Sequence, residues 1–347
     1  MTRKNMFYWQ SDRPYSVEEI KEIFLDSRDI FNKEQLKIAA EAAMEEEVVL
    51  SDRINHGSVN IVCPFTTKSG KEAVIRAHPN QIKNEYFYAE REAMSLASTA
   101  GVHVPTTITI DDSRNVVPFD YMVTTRIPGI VMKPAVFANP SLYPIYLDQI
   151  GQQLALLHSV KTKGYGFFDN ELAKQHVLIG QYSRNEDHFL ASLDEDQIFH
   201  HSNPQYLGLD MIKRSFAYLR SNIQLAHCDT PTIVHNDIAD WNTVVNGDRV
   251  TGILDWDECF SGDPVFDFAT TSLFYTDDQM RMLKKGYERL SKLPPQYDSK
   301  FDLYLVRYIV SKSKIAIKQL NSRQNDFMKL WLANAVEKLG AVLEKKL

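Results

Sequence analysis

Apolar and polar positions follow two patterns along the chain, and the change between them falls near residue 127. Before that point, short runs rich in β-branched and aromatic residues alternate with turn residues, which predicts strands. These runs are Val48–Ile54, Val59–Phe65, Glu72–Ala77, Val104–Ile110 and Tyr121–Thr125. Asn84–Ser98 predicts one helix among them. Strands with a single embedded helix indicate a compact α+β lobe.

After residue 127 the apolar positions recur with a period of about 3.6 residues, which is typical of amphipathic helices. The predicted helices are Leu142–His158, Asp210–His227, Asp278–Leu290, Asp302–Leu320 and Asp326–Leu343. Two short strand-like runs, Thr232–His235 and Val250–Leu254, interrupt them. This half of the chain is therefore expected to be mainly helical.

Two more helices are predicted ahead of the first strand. Ser16 and Glu19 have the spacing of a capping box, which predicts a short helix ending near Asp26. Lys33–Glu47 is rich in Ala, Glu and Lys and contains no Pro or Gly, so it predicts a second helix. With Ile127–Gly129 as a chain-turning linker, we expect an N-terminal helical extension (1–47), an N-lobe (48–126) and a C-lobe (127–347).

Composition indicates a globular protein with a substantial core. The 347 residues are 44% hydrophobic and 24% charged, and the formal net charge is -6. A nucleic-acid-binding protein would more often carry a basic run, and this chain has none. No apolar run approaches the roughly 18 residues that span a bilayer. We therefore expect neither nucleic acid nor membrane as a partner, and either a monomer or a homodimer.

The cysteines indicate a reducing compartment. Cys63, Cys228 and Cys259 are widely spaced and odd in number, so they do not form a complete disulfide framework. The N-terminal residues also lack the apolar core of a signal peptide. A cytoplasmic location is the simplest expectation.

The residues with the clearest chemistry follow apolar strand-like runs in two places. Asp237 and Asn242 follow the first run, and Asp255 follows the second. Phosphoryl transfer to an alcohol needs one carboxylate that accepts the hydroxyl proton and oxygen ligands that hold Mg²⁺ on the nucleotide phosphates. Because Mg²⁺ prefers hard oxygen donors, Asn242 and Asp255 are suitable ligands.

The spacing His235-x-Asp237-x-x-x-x-Asn242, followed by Asp255-Trp-Asp257, resembles the aminoglycoside phosphotransferase family. This resemblance runs from about residue 51 to residue 274. It implies an α+β, two-lobed, protein-kinase-like fold, with a small β-rich N-lobe that binds nucleotide and a larger, mainly helical C-lobe.

The same resemblance implies a role for each residue of the motif. Asp237 corresponds to the catalytic base, and Asn242 and Asp255 to the Mg²⁺ ligands. His235 and Asp267 are expected to support the loop rather than to touch substrate. The co-substrate implied is ATP or GTP, and the sequence does not distinguish them.

The N-lobe residues implied to bind the nucleotide are less specific. Arg76 stands where many kinases carry a phosphate-pairing lysine, and Glu92 is preferred over Glu90 as its acidic partner because the Arg-Glu-x-x-x-Leu spacing matches Glu92. The other predicted nucleotide-binding residues, in the phosphate-covering loop and the hinge, are Gly57, Ser58, Asn60, Thr124, Arg126 and Ile127.

Acidic residues near the motif are candidates for binding a cationic acceptor. They are Asp257, Glu258, Asp194 and Glu195. Such carboxylates attract amines by complementary charge, although a solvated acidic loop is the simpler interpretation of the stretch around Asp194.

These observations favour a phosphotransferase that moves the γ-phosphate of ATP or GTP to a hydroxyl of a small molecule, an aminoglycoside-like or other antibiotic. The alternatives are a metabolic kinase acting on a sugar or amino alcohol, and a catalytically silent nucleotide-binding protein of the same fold. A protein kinase is disfavoured because the chain has no Asp-Phe-Gly or Ala-Pro-Glu sequence.

Overall fold

The computed structural model describes residues 32–52, 60–77, 84–191, 193, 205–322 and 326–345. The helix predicted after Ser16 lies outside the described residues, and so do Gly57, Ser58, Asp194 and Glu195 of the predicted site. Within the described ranges, the chain forms an N-terminal part built on one antiparallel sheet and a mainly helical C-terminal part, as the hydrophobic pattern predicts.

The N-terminal part consists of a five-stranded sheet and two helices. Its elements are α1 (Lys33–Met44), β1 (Val48–Leu50), β2 (Ile61–Thr67), β3 (Glu72–Ala77), α2 (Phe87–Thr99), β4 (Thr107–Asp111) and β5 (Tyr121–Thr125). The strand order is β1-β2-β3-β5-β4, and every pairing is antiparallel. Arg76 therefore lies on the central strand, opposite Val62 on β2 and Met122 on β5.

The alternation of side chains along β3 explains which face of the sheet carries Arg76. Ala73, Ile75 and Ala77 are fully buried in a core shared with α1. Because successive strand residues point to opposite faces, Arg76 lies on the other face of the sheet. That face is the one from which Glu90 of α2 contacts it.

The C-terminal part begins with a short strand and continues through helices and small sheets. Its elements are β6 (Ile130–Val131), α3 (Met132–Ala138), α4 (Tyr143–Ser159), β7 (Tyr165–Phe168), α5 (Asn170–Lys174), β8 (Gly180–Tyr182), α6 (Asn185–Ala191), α7 (Leu209–Ser221), β9 (Thr232–Val234), β10 (Thr243–Asn246), β11 (Arg249–Ile253), β12 (Phe260–Gly262), α8 (Val265–Thr271), α9 (Asp277–Glu288), α10 (Tyr297–Ser322) and α11 (Asp326–Glu344).

Two small sheets hold the segments that carry the motif. β11, β10 and β6 form one sheet, and β8, β7, β12 and β9 form the other. The motif from His235 to Asn242 connects β9 to β10, and Asp255 follows the end of β11. The strands predicted at Thr232–His235 and Val250–Leu254 are thus present with ends shifted by about one residue, a normal uncertainty of such boundaries. The predicted scheme lacks the short strands β6, β7, β8, β10 and β12.

Helices α4 and α9 cross at two glycines. A Cβ atom on Gly151 would lie 2.0 Å from the carbonyl oxygen of Leu283, and one on Gly286 would lie 1.9 Å from that of Asp148. Only glycine therefore permits this approach of the two backbones. The crossing holds His158 of α4 beside Tyr287 of α9, and His158 also contacts Asp267, which accepts from the backbone of His235.

In the described part of the chain, each helix is too short or too polar to cross a bilayer.

Candidate active site

His235 connects two segments of the candidate site. One is the loop from His235 to Asn242, which the motif predicts to be the catalytic loop, and the other is the segment that precedes Asp255. Its buried ring donates from Nε2 to the carbonyl oxygen of Leu254 at 3.1 Å, and its Nδ1 accepts from the backbone N–H of Asp237 at 3.3 Å. Burial lowers the pKa of His235, which favours the neutral ring that this pattern requires. Through these two bonds His235 connects the loop to the segment that precedes Asp255.

Asp267, in the first turn of α8, holds the same loop from the protein interior. Its fully buried carboxylate accepts from the backbone N–H groups of His235 at 2.9 Å and Asn236 at 2.6 Å. Nε2 of His158 lies 3.0 Å from the same carboxylate. Asn236 has a φ of 69°, in the left-handed region that asparagine adopts more readily than most residues. Asp267 thus stabilises the turn that immediately precedes Asp237.

Asn242 fixes the orientation of Asp237. Its side-chain Nδ2 donates to the carboxylate Oδ2 of Asp237 at 2.7 Å and to the backbone oxygen of the same residue at 2.9 Å. The amide oxygen of Asn242 is consequently the end that points away from Asp237. This geometry leaves one carboxylate oxygen of Asp237 outside the pair, where it can accept a proton.

Asp255 lies beside this loop. It adopts a φ of 63°, and its carboxylate is 45% exposed, with Oδ1 3.3 Å from Nη2 of Arg76. The backbone N–H of Leu254 donates to the carbonyl oxygen of Asn242 at 2.7 Å. The two segments predicted to hold Mg²⁺ are therefore linked directly.

Glu90 forms the ion pair with Arg76, so the choice of Glu92 is wrong. Nη1 of Arg76 contacts Oε1 of Glu90, whose side chain is 1% exposed. Glu92 instead accepts from Nε of Arg91 at 2.7 Å and lies 3.0 Å from Nδ1 of His176. Residues two apart on a helix point in different directions, and α2 presents Glu90 to the sheet.

The neighbours of Asp237 make its carboxyl a better proton acceptor than an ordinary aspartate. Burial raises the pKa of Asp237, and the negative charges of Glu258 and Asp255 raise it further, while the ammonium of Lys312 opposes them. A carboxylate with a raised pKa binds a transferred proton more strongly. The electrostatics of the loop therefore suit a general base.

The oxygen atoms of Asn242 and Asp255 suit Mg²⁺ that is also bound by nucleotide phosphates, rather than a metal ion held by protein side chains alone. The described residues contain no group of three or more His, Cys, Asp and Glu side chains arranged to hold a metal ion. The amide oxygen of Asn242 and the exposed carboxylate of Asp255 are hard oxygen donors on adjoining segments. Mg²⁺ in kinases takes few protein ligands and completes its shell with phosphates and water, so these two residues would suffice.

The predicted acceptor carboxylates are not equivalent in the structure. Glu258 is bound by Nζ of Lys312 at 2.8 Å and by Nδ2 of Asn236 at 2.9 Å. Asp257 is 8% exposed, and its pKa is raised well above the usual range, first by burial and then by the charge of Asp255. The charges of Arg76 and Glu90 also act on the Asp257 carboxyl, so Asp257 lies near that ion pair.

The remaining predicted nucleotide-binding residues lie around the sheet and the linker. Asn60 is buried and accepts from the hydroxyl of Tyr86 at 2.9 Å. Thr124 is buried on β5, and Arg126 pairs with Glu72 at 2.7 Å. Ile127 packs so closely on Gly252 that a Cβ there would lie 2.2 Å from it. Contact of these residues with a nucleotide stays a prediction.

Sequence reasoning missed two groups next to Asp237. Lys312 of α10 pairs with Glu258, and no motif marks it because it comes from a distant helix. Asp240 lies inside the catalytic loop and accepts from the hydroxyl of Tyr143 at 3.0 Å. Its place three residues after Asp237, inside the same loop, could have drawn attention to it.

Two curated proteins are similar to this chain in amino-acid sequence. Hygromycin-B 4-O-kinase of Escherichia coli is 23% identical over 60% of the chain and 60% of its own length. Viomycin phosphotransferase of Streptomyces vinaceus is 28% identical over 48% of the chain and 54% of its own length. The chain thus spans little more than half the length of these curated relatives.

A solved structure of the aminoglycoside phosphotransferase APH(4)-Ia superposes with a TM-score of 0.69 at 17% identity, covering 90% of this chain and 99% of that one. At this identity the likeness establishes the fold, and it confirms the two-lobed, protein-kinase-like architecture predicted from the motif. Residues 52–300 match the sequence model described as the phosphotransferase enzyme family. The chain belongs to that family.

Proposed function

We propose that this protein transfers the γ-phosphoryl group of ATP to a hydroxyl group of a small molecule, and that the acceptor is an aminoglycoside-like or other antibiotic. The observation that carries the proposal is the joined geometry of Asp237, Asn242 and Asp255. The side-chain amide of Asn242 orients Asp237, and the carbonyl oxygen of Asn242 accepts from the backbone N–H of Leu254, the residue before Asp255. Phosphoryl transfer depends mainly on such positioning and on charge stabilisation.

Asp237 accepts the proton in this mechanism. The acceptor oxygen forms a bond to the γ-phosphorus as the bond to the leaving oxygen of ADP breaks, and the hydroxyl proton passes to the Asp237 carboxylate. Asn242 holds that carboxylate through Nδ2, and His235 and Asp267 hold the backbone beneath it. Preorganisation of the base in this way removes part of the entropic cost of reaching the transition state.

Asn242 and Asp255 would hold Mg²⁺, which would neutralise charge on the phosphates. Arg76 would bind phosphate oxygens, since its guanidinium is fixed between Glu90 and Asp255 at the edge of the cleft. Arginine in place of lysine retains the positive charge and can bind two oxygens at once. The ion pair with Glu90 orients it for that role.

Support for ATP and for an antibiotic acceptor comes from the relatives. Related APH(4)-Ia structures contain AMP-PNP together with hygromycin B, and the two curated relatives are named for antibiotics. The experiment is a turnover screen with ATP and GTP in parallel against aminoglycosides, tuberactinomycin-type peptides, macrolides, sugars and amino alcohols, with phosphorylated products identified by mass spectrometry.

A phosphorylated antibiotic with the highest kcat/KM supports the proposal. Preferential phosphorylation of a sugar or amino alcohol keeps the reaction and replaces the acceptor class. Tight binding of magnesium and nucleotide without any phosphorylated product contradicts the reaction itself.

A further inference from the structure

Helix α2 carries Glu90, but it packs on the C-terminal part of the chain. Its buried apolar side chains belong to a hydrophobic core that also contains Leu154 of α4, Ala173 of α5 and Trp256. Most buried apolar side chains of the five-stranded sheet pack instead with α1 in a second core. The ion pair between Arg76 and Glu90 therefore joins the sheet to a helix that is anchored in the other core.

Asn170, the first residue of α5, caps the N-terminus of α2. Its side-chain Oδ1 accepts from the backbone N–H groups of Tyr88 and Ala89, each at 3.1 Å, and Asn170 is 8% exposed. Asn84 accepts from the N–H of Phe87 at 2.8 Å. The first N–H groups of a helix have no partner within the helix, and a cap normally comes from the residue just before it. Here part of the cap comes from a residue 82 positions after Tyr88.

Further contacts hold α2 and the neighbouring strand β4 against α5. Nη2 of Arg91 donates to the carbonyl oxygen of Ala173 at 2.9 Å. The guanidinium of Arg91 and the ammonium of Lys174 lie 5.2 Å and 5.0 Å from the centroid of the Tyr88 ring. Lys174 also pairs with Asp112 of β4 at 2.9 Å. A rotation of α2 against α5 would break these contacts together with the cap.

The position of α2 determines where Glu90 meets Arg76. Glu90 follows directly after the two residues that Asn170 caps, and its side chain is 1% exposed. Because the cap fixes the backbone of residues 88 and 89, it fixes the direction in which the Glu90 side chain leaves the helix. Glu90 contacts Nη1 of Arg76, while Nη2 of Arg76 lies 3.3 Å from Asp255. The placement of the guanidinium therefore depends on α2.

We propose that Asn170 is a positioning residue for nucleotide binding, since its cap fixes α2 and thereby the Glu90 carboxylate that holds the guanidinium of Arg76. This rests on the proposed function, in which Arg76 binds phosphate oxygens. Asn170 acts through the helix and not by contact with the nucleotide. Removal of its side-chain oxygen should weaken nucleotide binding while the base and the proposed Mg²⁺ ligands stay in place.

The test is calorimetric binding of AMP-PNP, in the presence of Mg²⁺, to variants of Asn170. Asn170→Ala removes the capping oxygen and should weaken binding about fivefold. Asn170→Asp keeps an acceptor oxygen and adds a negative charge that a helix N-terminus favours, so the affinity should stay within about twofold of wild type. Asn246→Ala, at the exposed end of β10, is the control and should bind AMP-PNP like wild type.

A combined variant separates positioning through Glu90 from a general loss of stability. Glu90→Gln already weakens the link to Arg76, so the addition of Asn170→Ala should lower the affinity for AMP-PNP by less than about twofold more. A role independent of Glu90 would give the full fivefold loss in both backgrounds, because independent effects add. Hydrogen exchange in Asn170→Ala should also be faster in the peptide that contains Tyr88 and Ala89.

Three outcomes overturn the inference and leave the proposed function intact. They are unchanged affinity for AMP-PNP in Asn170→Ala, equal losses in Asn170→Ala and Asn170→Asp, and full additivity with Glu90→Gln. If Asn170→Ala does not fold, Asn170→Asp carries the test alone, and a loss greater than about twofold overturns the inference. Absence of AMP-PNP binding by wild-type protein overturns the proposed function and the inference together.

Discussion

The two sides of Asp237 differ in how their charges are arranged. On the side proposed to bind the nucleotide, Asn242, Asp255 and Arg76 belong to segments whose backbones or side chains are bonded to each other. On the proposed acceptor side, Glu258 pairs with Lys312 of a distant helix, whereas Asp240 accepts a hydrogen bond from the hydroxyl of Tyr143. The residues proposed to bind the nucleotide are therefore held in one bonded network, whereas those on the proposed acceptor side are held by partners from separate helices.

Asp237→Asn is expected to have the largest effect, because it removes the base while preserving the shape of the loop. We expect kcat to fall about a thousandfold, within the usual range for loss of a general base. The affinity for AMP-PNP with Mg²⁺ should not change, since Asn242 and Asp255 remain. Steady-state kinetics and calorimetry on the same preparation measure both quantities, and near-normal turnover would show that another group takes the proton.

Asp255→Ala tests whether the nucleotide side depends on a metal. It should weaken nucleotide binding roughly a hundredfold in the presence of Mg²⁺. Loss of a group that only orients a metal ligand already lowers metal affinity by about 10- to 100-fold, and loss of the ligand itself should lower it at least as much. Binding measured with EDTA should change far less. If titration with Mg²⁺ gives the same curve for both proteins, Asp255 is not a ligand.

Asp267→Ala tests whether the loop is held from within the protein. The backbone N–H groups of His235 and Asn236 would lose their buried acceptor, and the free energy of unfolding should fall by about 3 kcal/mol. Asp229→Ala, at a side chain that is 90% exposed, serves as the control and should stay within about 0.5 kcal/mol of wild type. Urea denaturation measures both, and equal stabilities would refute the supporting role.

Glu90→Gln and Glu92→Gln form a matched pair with a smaller effect. Glu90→Gln should lower kcat/KM for ATP by roughly tenfold, which corresponds to about 1.4 kcal/mol, because Arg76 loses its charged partner. Glu92→Gln should stay within about twofold, since its partners are Arg91 and His176. The opposite order would restore the choice made from the sequence.

The strands that flank the motif were predictable from the sequence because they depend on short-range features. The spacing from Asp237 to Asn242 and the strand before Asp255 are short-range features, and their strands appear where apolar runs predict them. The choice between Glu90 and Glu92 failed because it depends on the rotation of α2 against the sheet. That rotation is set by packing, and spacing along the chain does not reveal it.

The acceptor side was much less predictable. The pairing of Lys312 with Glu258 joins two residues that are far apart in the sequence, and it exists only because α10 packs beside the loop. Asp257 and Glu258 are adjacent in sequence, yet one lies toward Arg76 and the other toward Lys312. Counting Asp257 and Glu258 as two free negative charges was therefore wrong, because Glu258 is paired with Lys312.

The most direct test of phosphoryl transfer to an alcohol follows the γ-phosphoryl group itself. ATP radiolabelled in the γ-phosphate is incubated with the protein, Mg²⁺ and the preferred alcohol from the acceptor screen, and the products are separated. We expect the label to appear in a phosphate ester of that alcohol, and Asp237→Asn to form this ester about a thousandfold more slowly. Label that appears only in inorganic phosphate, or equal ester formation by the variant, would contradict it.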